Sequence, residues 1–448
     1  MLETKTKEKL ADAARTLAAS YELVVHNEAI YLPVDYLTGV SEPLPDIERR
    51  SWLALDRTGV QRFGNTKANI LFANESEVLN FEGMLKQISV KHDSVPPGIL
   101  LTTDNGLMLL DKSGKLVPPD GRFVPNHITT PLITDPVKKD VVFDIVKDWL
   151  GGEEEETHSL LHHLATALAP QWSAVKYVLL LGEGRNGKSV LLQMLTDLLG
   201  RENVSSVSRQ QMAEQSSVCV DLNGSLANIV MDGSMEYLKD SGMEKTLIAG
   251  ETGWVRPLYV SRLVSVQTNG LFLEALNQEP KTRDKSSALQ KRIVRYRFPN
   301  VYELNPQFAR SMRRPDMLGA FLALLLDHYV IESEAAAKLA PTKGAIDLQL
   351  DQLVLNSIVH QFLLHLYDQD EKALDKLIGT DVMPLVNAFT LWAINQDSKY
   401  SDRDALEMFK RSVVLKRSTR RNQVPKNYWR IEGWKPETTM LIAQLNGE

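Results

Sequence analysis

The chain has 448 residues, 43% hydrophobic and 24% charged, a globular composition that excludes disorder and collagen-like repeats and fits about three domains. Its longest apolar run, Met317 to Leu326, is ten residues, about half a membrane span, and the charged start MLETKTKEKL does not read as a secretory signal. A single cysteine, Cys219, excludes an internal disulfide and a multi-cysteine zinc site, and the net charge of −6 conceals a window, Arg403 to Lys435, with ten Lys/Arg against three acids, a net of +7.

A polar-rich helix is predicted from Glu3 to about Ala19. Short β-like runs follow at Tyr21–His26, Ile30–Val34 and Ala68–Ala73; no chemistry is assigned to this region. Ile99–Thr103 and Leu107–Leu110 flank Asn105-Gly106, and an Asn-Gly turn with both residues at positive φ predicts a hairpin. Asp111 to Lys115 is a second turn. Val141, Val142, Ile145, Val146 and Trp149 mark the apolar face of a helix that starts near Val137 and ends at Gly151-Gly152. The acidic run Glu153–Glu156 opens a further helix, where negative charge meets the positive end of the helix dipole. Pro170 closes it.

Tyr177 to Leu181 is apolar without alternation, as in a strand buried on both faces. Leu226–Met231 and Leu263–Val266 read similarly, and helical or loop segments between them argue for a parallel α/β sheet. Residues 317–365 read as helices. Residues 380–436 read as helices ending in a short β element at Tyr428-Trp429-Arg430.

The sharpest motif is Gly182-Glu183-Gly184-Arg185-Asn186-Gly187-Lys188-Ser189, which fits G-x-x-x-x-G-K-[ST]. A buried strand enters it and the helical run Val190–Leu199 leaves it. Glycines let backbone N–H groups curl around a phosphate, and the helix N-terminus adds its dipole. Lys188 is placed on the β- and γ-phosphates and Ser189 on Mg²⁺. Asp232, ending an apolar strand, is the metal-site candidate, and Glu236 the candidate base. Asn269, after the third strand, is a candidate sensor of the γ-phosphate or the attacking water.

In this order the motifs resemble superfamily 3 helicases of the phage and plasmid primase–helicase type. The resemblance covers residues 95–436 and rests on Asn186-Gly187-Lys188-Ser189, on Asp232, on Leu247–Tyr259 with its Arg256-Pro257-Leu258-Tyr259, on Thr268-Asn269, and on Gln290-Lys291-Arg292 ahead of the strand Ile293–Phe298. It implies an α/β, AAA+-type P-loop ATPase that uses ATP and Mg²⁺ and acts as a ring, expected to be a homo-hexamer, with Arg292 as the finger acting in trans and Arg295 as its fallback. Only Val260-Ser261-Arg262 separates Tyr259 from the third strand, which predicts a shortened channel hairpin. The first 90 residues are short for a primase domain and carry no D-x-D pair, so primer synthesis is not expected.

The basic C-terminal window reads as a winged-helix tail: Ser401–Val413 as a helix with Lys410 and Arg411, Lys416, Arg417, Arg420 and Arg421 on a loop, and Tyr428–Arg430 as a wing strand. These residues, with Arg256 and Arg262, are the candidate DNA contacts, giving affinity through phosphates rather than base reading. His158, His162 and His163 lack a metal-binding pattern, and Cys219 reads as a packed apolar residue.

The expected organisation is 1–95, an α+β region of unknown role; 96–170, a leader hairpin and helical collar; 171–335, the ATPase; and 336–448, a helical and winged-helix DNA-binding part. The expected function is an ATP-dependent replicative DNA helicase of a phage, plasmid or mobile element in the bacterial cytoplasm. An origin-loading protein that uses ATP as an assembly switch is the alternative, and a P-loop kinase a third reading.

Overall fold

A computed structural model describes residues 2–21, 23–26, 29–33, 52–55, 57–91, 98–119, 123–169, 177–233, 242–257, 263–268, 270–278, 292–396, 398–418 and 428–445. The fold is mixed α/β, and no helix among the described residues is long and apolar enough to cross a membrane. The chain forms two compact units. The first comprises Met1–Ser234, Asp240–Gln278 and Phe298–Ala340; the second comprises Met235–Lys239, Glu279–Arg297 and Pro341–Glu448.

The first unit opens with α1 (Leu2–Tyr21), β1 (Val24–His26), β2 (Ala29–Pro33), β3 (Trp52–Leu55), α2 (Arg57–Ala68), α3 (Glu75–Ile88) and β4 (Val90–Lys91), with the strands in the order β3-β2-β1-β4. The apolar faces of the helices close one core around Leu17, Phe63, Phe81 and Leu85. Ala68–Ala73, read as β-like, is instead the end of α2 and a loop running to the Asn74 cap of α3.

Strands β5 (Ile99–Thr103) and β6 (Gly106–Leu110) form the predicted hairpin, joined by β7 (Leu116–Val117) and β8 (His127–Ile128) in the order β7-β6-β5-β8. Its turn differs from the expected one. Thr103 pairs with Gly106, so Asp104-Asn105 is the two-residue loop and, of the turn residues, only Gly106 takes a positive φ, +95°. The second turn is held by the Asp111 carboxylate, which accepts from the Ser113 and Lys115 amides at 2.8 and 3.0 Å.

Helix α4 (Pro136–Trp149) follows, capped by Asp135 and burying Val142, Val146 and Trp149. Val141 lies outside that face and is exposed. Next come α5 (Glu154–Ala165), β9 (Tyr177–Leu181), α6 (Lys188–Leu199), β10 (Val204–Ser205), α7 (Arg209–Glu214), β11 (Ala227–Val230), α8 (Gly242–Ile248), β12 (Gly253–Val255), β13 (Val264–Val266), β14 (Leu271–Leu276) and, from the residues of the second unit, β15 (Ile293–Arg297).

The central parallel sheet has five strands in the order β10-β11-β14-β9-β15. The registers Ala227↔Leu271 and Leu276↔Leu181 bring the C-terminal ends of β14 and β9 together. Every residue of β9, β11 and β14 is buried. One expected strand is not in this sheet. Leu263–Val266 supplies β13, which pairs antiparallel with β12 in a separate ribbon. Its place in the sheet is taken by β14. The reason is visible in the pattern: Leu263-Val264-Ser265-Val266 alternates and suits a half-exposed ribbon, whereas Leu271-Phe272-Leu273-Glu274-Ala275-Leu276 is the continuous run of a doubly covered strand. The first unit closes with α9 (Pro306–Met312) and α10 (Pro315–Asp327), the latter buried almost all round.

In the second unit, α11 (Lys343–Asn356), α12 (Ile358–Gln369), α13 (Val382–Asn395) and α14 (Asp402–Ser412) precede the antiparallel pair β16 (Val413–Ser418) and β17 (Tyr428–Trp434), and α15 (Pro436–Leu445) ends the chain's described part. Phe362, Phe389 and Phe409 meet edge-to-face at 5.4–6.3 Å in its core. A short third pairing joins β17 through Gly379 N–H to Ile431 O and Ile431 N–H to Thr380 O.

Candidate functional site: a phosphate loop at the end of a buried strand

The loop Gly182–Ser189 leaves the C-terminal end of β9 and enters α6 at Lys188. Its backbone is held on three sides. Gly182 N–H donates to Leu276 O of β14 at 3.2 Å, Phe298 N–H donates to Leu181 O at 2.7 Å, and Tyr302 N–H donates to Arg185 O at 2.8 Å. Gly187 has φ +93° and lies against the Trp149 ring, so close that a Cβ would stand 2.5 Å from it. At Gly182 a Cβ would meet Phe298 O and Asn186 Nδ2 at 2.4 Å. Arg185 takes φ +54°, one of two non-glycine residues with positive φ among the described residues. Gly184, Arg185 and Gly187 all take positive φ, which curls the loop tightly, and Gly184 N–H donates to Gly182 O at 3.2 Å within it.

Lys188 is buried at the head of α6. Its ammonium donates to Gly182 O and, at 3.0 Å, to Asn186 Oδ1, while Asn186 Nδ2 donates to Phe298 O at 3.3 Å. Burial pulls the Lys188 pKa down, and the charge of Asp232 acts in the opposite sense. Lys188 and Asp232 therefore share one electrostatic neighbourhood, although they lie far apart in sequence. Asp232 is exposed just past β11, and Ser189 is exposed in the first turn of α6. One carboxylate and one hydroxyl suit a magnesium ion that takes its other ligands from phosphate and water. Among the described residues no cluster of three or more His, Cys, Asp or Glu forms a self-sufficient metal site.

Glu236 and Asn269 lie outside the described residues. The strand that leads to Asn269 belongs to the β12–β13 ribbon, and two residues later Leu271 begins β14 beside Ala227, the first residue of β11. The polar residue that follows the C-terminal end of β14 is Asn277, next to Leu276, whose carbonyl holds Gly182. Asn277 is exposed there. Sequence reasoning missed it because the third strand was assigned eight residues too early.

Glu274 was also missed. It is buried in β14, accepts from the Tyr177 hydroxyl at 2.9 Å, and sits behind the Asp232-Gly233 turn, where a Cβ on Gly233 would meet Glu274 Oε1 at 2.2 Å. On the same side Arg209 pairs with Glu244 at 2.6 Å, both buried, and lies 5.7 Å from the Tyr177 ring centre. Burial, then the Glu274 charge, push the Tyr177 hydroxyl well above its usual range.

Arg292 is half-buried immediately before β15. Arg295, its fallback, is 1% exposed and donates to Ile293 O at 3.2 Å, so it is closed to any other protomer. Of the residues assigned to DNA, Arg262, Arg420 and Arg421 lie outside the described residues. Arg256 is exposed just past β12, and most of the segment expected to form a shortened hairpin, residues 258–262, lies outside the described residues. Leu263–Val266 supplies the second strand of this ribbon, with Val255 paired to Val264. Trp254 on β12 is 62% exposed, an aromatic that sequence reasoning passed over.

In the second unit Lys416 and Arg417 lie on β16, not on a loop. Lys416 pairs with Glu432 at 3.0 Å; Lys410 pairs with Glu407 at 2.5 Å and lies 5.6 Å from the Trp429 ring centre. These pairs are exposed and weak in water, so a phosphate can displace the acid. Trp429 packs against the unit's core.

No family model matches the chain, and no curated protein is similar to it. Solved structures are similar in fold. The A-form apo structure of the NrS-1 C-terminal region superposes with a TM-score of 0.52 at 10% identity, over 93% of this chain and 97% of that one. A second apo structure of the NrS-1 C-terminal region, residues 305–718, gives 0.50 at 10% identity over the same shares. At this identity the likeness is one of fold.

Proposed function

We propose that the chain is an ATP-driven DNA helicase of a phage, plasmid or mobile element and works as a ring, in keeping with superfamily 3. The observation that carries this reading is the closed phosphate loop at the end of β9, with Lys188 folded into it and Asp232 within its electrostatic reach. The likeness in fold to the NrS-1 C-terminal region supports it over most of the chain.

In this reading the backbone N–H groups of residues 185–188 and the N-terminus of α6 hold the β- and γ-phosphates. Lys188 turns from Gly182 O and Asn186 to the γ-phosphate. Bound Mg²⁺ neutralises charge developing on the phosphates, and Ser189 and Asp232 are the residues that would hold it. Asn277 replaces Asn269 as the amide that orients water or the γ-phosphate. Arg292 reaches the site of a neighbouring protomer. The ribbon β12–β13, with Trp254 and Arg256, grips one strand by stacking and charge. The arrangement of α12, α13 and α14 followed by β16 and β17 supports a winged helix in which Lys410, Arg411, Lys416 and Arg417 contact phosphates.

The test is ATP hydrolysis and forked-duplex unwinding by the purified chain, with and without single-stranded DNA. DNA should stimulate hydrolysis, and Lys188→Ala should abolish both activities. Full ATPase in that variant, or a solitary monomer as active as any assembly, refutes the proposal.

A further inference from the structure

Beside the phosphate loop, wholly within the first unit, lies a cavity of about 740 Å³. That is the size of a site for a nucleoside-sized ligand. One wall is the loop itself and the first turn of α6, through Arg185, Gly187 and Val190; another is the last turns of α4; the third is the segment 302–309. Ile145, Val190, Leu304 and Phe308 give it flat apolar surface. Its carboxylates are Asp144 and Asp148, one helical turn apart, and Glu303 on the facing segment, with Arg185 at the loop side. Carboxylates repel phosphate, so this is not an extension of the anion site. They call for a ligand that brings N–H donors on an apolar ring.

Asp148 is held in place. The Tyr302 hydroxyl donates to its Oδ2 at 2.7 Å, and Asn300 Nδ2 donates to its backbone oxygen at 2.6 Å. Burial and this hydrogen bond raise the Tyr302 pKa, which keeps the phenol a donor. Oδ1 accepts no hydrogen bond among the described residues, so one carboxylate oxygen is offered at a fixed position. The next residue, Trp149, is the ring packed under Gly187, which ties Asp148 to the loop that would hold the phosphates.

We propose that this cavity seats the base of the bound nucleotide and that Asp148, positioned by Tyr302, selects adenine through its 6-amino group. Adenine presents one such N–H to one free oxygen. Guanine presents two adjacent donors that match both carboxylate oxygens side by side, and the Tyr302 bond to Oδ2 makes that paired arrangement the weaker one. The inference rests on the nucleoside-triphosphate reading of the loop.

The experiment measures competition against a fluorescent ATP analogue on the full chain, before turnover. The competitors are ATP, GTP, purine riboside triphosphate (adenine without its amino group) and inorganic tripolyphosphate. Loss of a hydrogen bond to an ionised acceptor should make purine riboside triphosphate at least about tenfold weaker than ATP in the wild type. Asp148→Ala should bring that ratio close to one. Tyr302→Phe, which keeps the packing, should lower it severalfold, and Asp144→Ala should leave it standing. A wild-type ratio near one, a preference for GTP, or a ratio unchanged in folded Asp148→Ala or Tyr302→Phe overturns the assignment. Tripolyphosphate binding that depends on Lys188, without base preference, overturns the base site alone. Absence of any triphosphate binding overturns the loop reading with it.

Discussion

Gly187→Ala tests the loop's construction directly. The methyl group is opposed twice. At φ +93° the backbone lies in the left-handed region, which costs a residue with a Cβ about 1–2 kcal/mol. The new carbon would also stand 2.5 Å from the indole of Trp149, itself buried at 3% exposure, and overpacking against a ring that cannot retreat adds about 1–3 kcal/mol. The expected loss is therefore about 2–5 kcal/mol. Gly184→Ala is the internal control: φ is +47° and nothing lies within 4 Å of a Cβ, so only the backbone part remains.

Trp149→Ala separates the two terms. Alone it should cost about 3–5 kcal/mol as a buried large-to-small change. In its background Gly187→Ala should lose the steric part and cost only about 1–2 kcal/mol, giving a coupling of about 1–3 kcal/mol between adjacent groups. Urea denaturation measures each corner of the cycle, and nucleotide affinity follows the same ranking. Additive corners, or Gly184→Ala as damaging as Gly187→Ala, refute the packing argument.

Asn277→Ala should slow hydrolysis by about 10²-fold, the loss typical of one aimed donor, with ATP affinity within a few fold; Asn269→Ala should do much less, and the reverse pattern in steady-state assays restores the earlier assignment. Arg209→Met leaves Glu244 charged and buried and should cost about 3–5 kcal/mol, whereas Arg209→Met with Glu244→Leu should recover most of it; equal losses in urea titrations count against the pair. His328 Nδ1–H donates to Leu324 O, its Nε2 accepts from His158, and His162 donates to its carbonyl. Burial holds His328 and His162 below the usual imidazole range, with Lys338 lowering His162, Glu334 raising it and Asp327 raising His328. The unfolded chain then binds more protons than the folded one below about pH 6.5, so this stability is complete above that pH and lost on acidification; His328→Gln should flatten the fall of Tm on acidification, and an unchanged slope would rule the cluster out.

What the sequence made legible was whatever one segment decides alone. The loop Gly182–Ser189 needs only a strand before it and a helix after it, and Tyr177–Leu181 and Val190–Leu199 announce both by pattern. The Cys219 side chain is buried as its composition suggested, and its thiol is pushed up to about 11. Pairing is different, because a strand's partner is chosen elsewhere in the chain. Leu263–Val266 and Leu271–Leu276 are both short and apolar, and the Thr268-Asn269 that follows the first drew the assignment to it. The discriminating signal was the alternation in β13 against the unbroken run in β14, and it moves the candidate sensor from Asn269 to Asn277.

The cavity was not legible for the same reason. Asp148 belongs to α4, Val190 to α6 and Tyr302 to the segment after β15, and no spacing along the chain relates them. The sheet brings them together by setting the end of β9 beside Phe298 and so fixing where the chain must go next. A motif supplies the chemistry that every such loop shares. The selectivity proposed for this one rests on residues that only the completed fold makes neighbours.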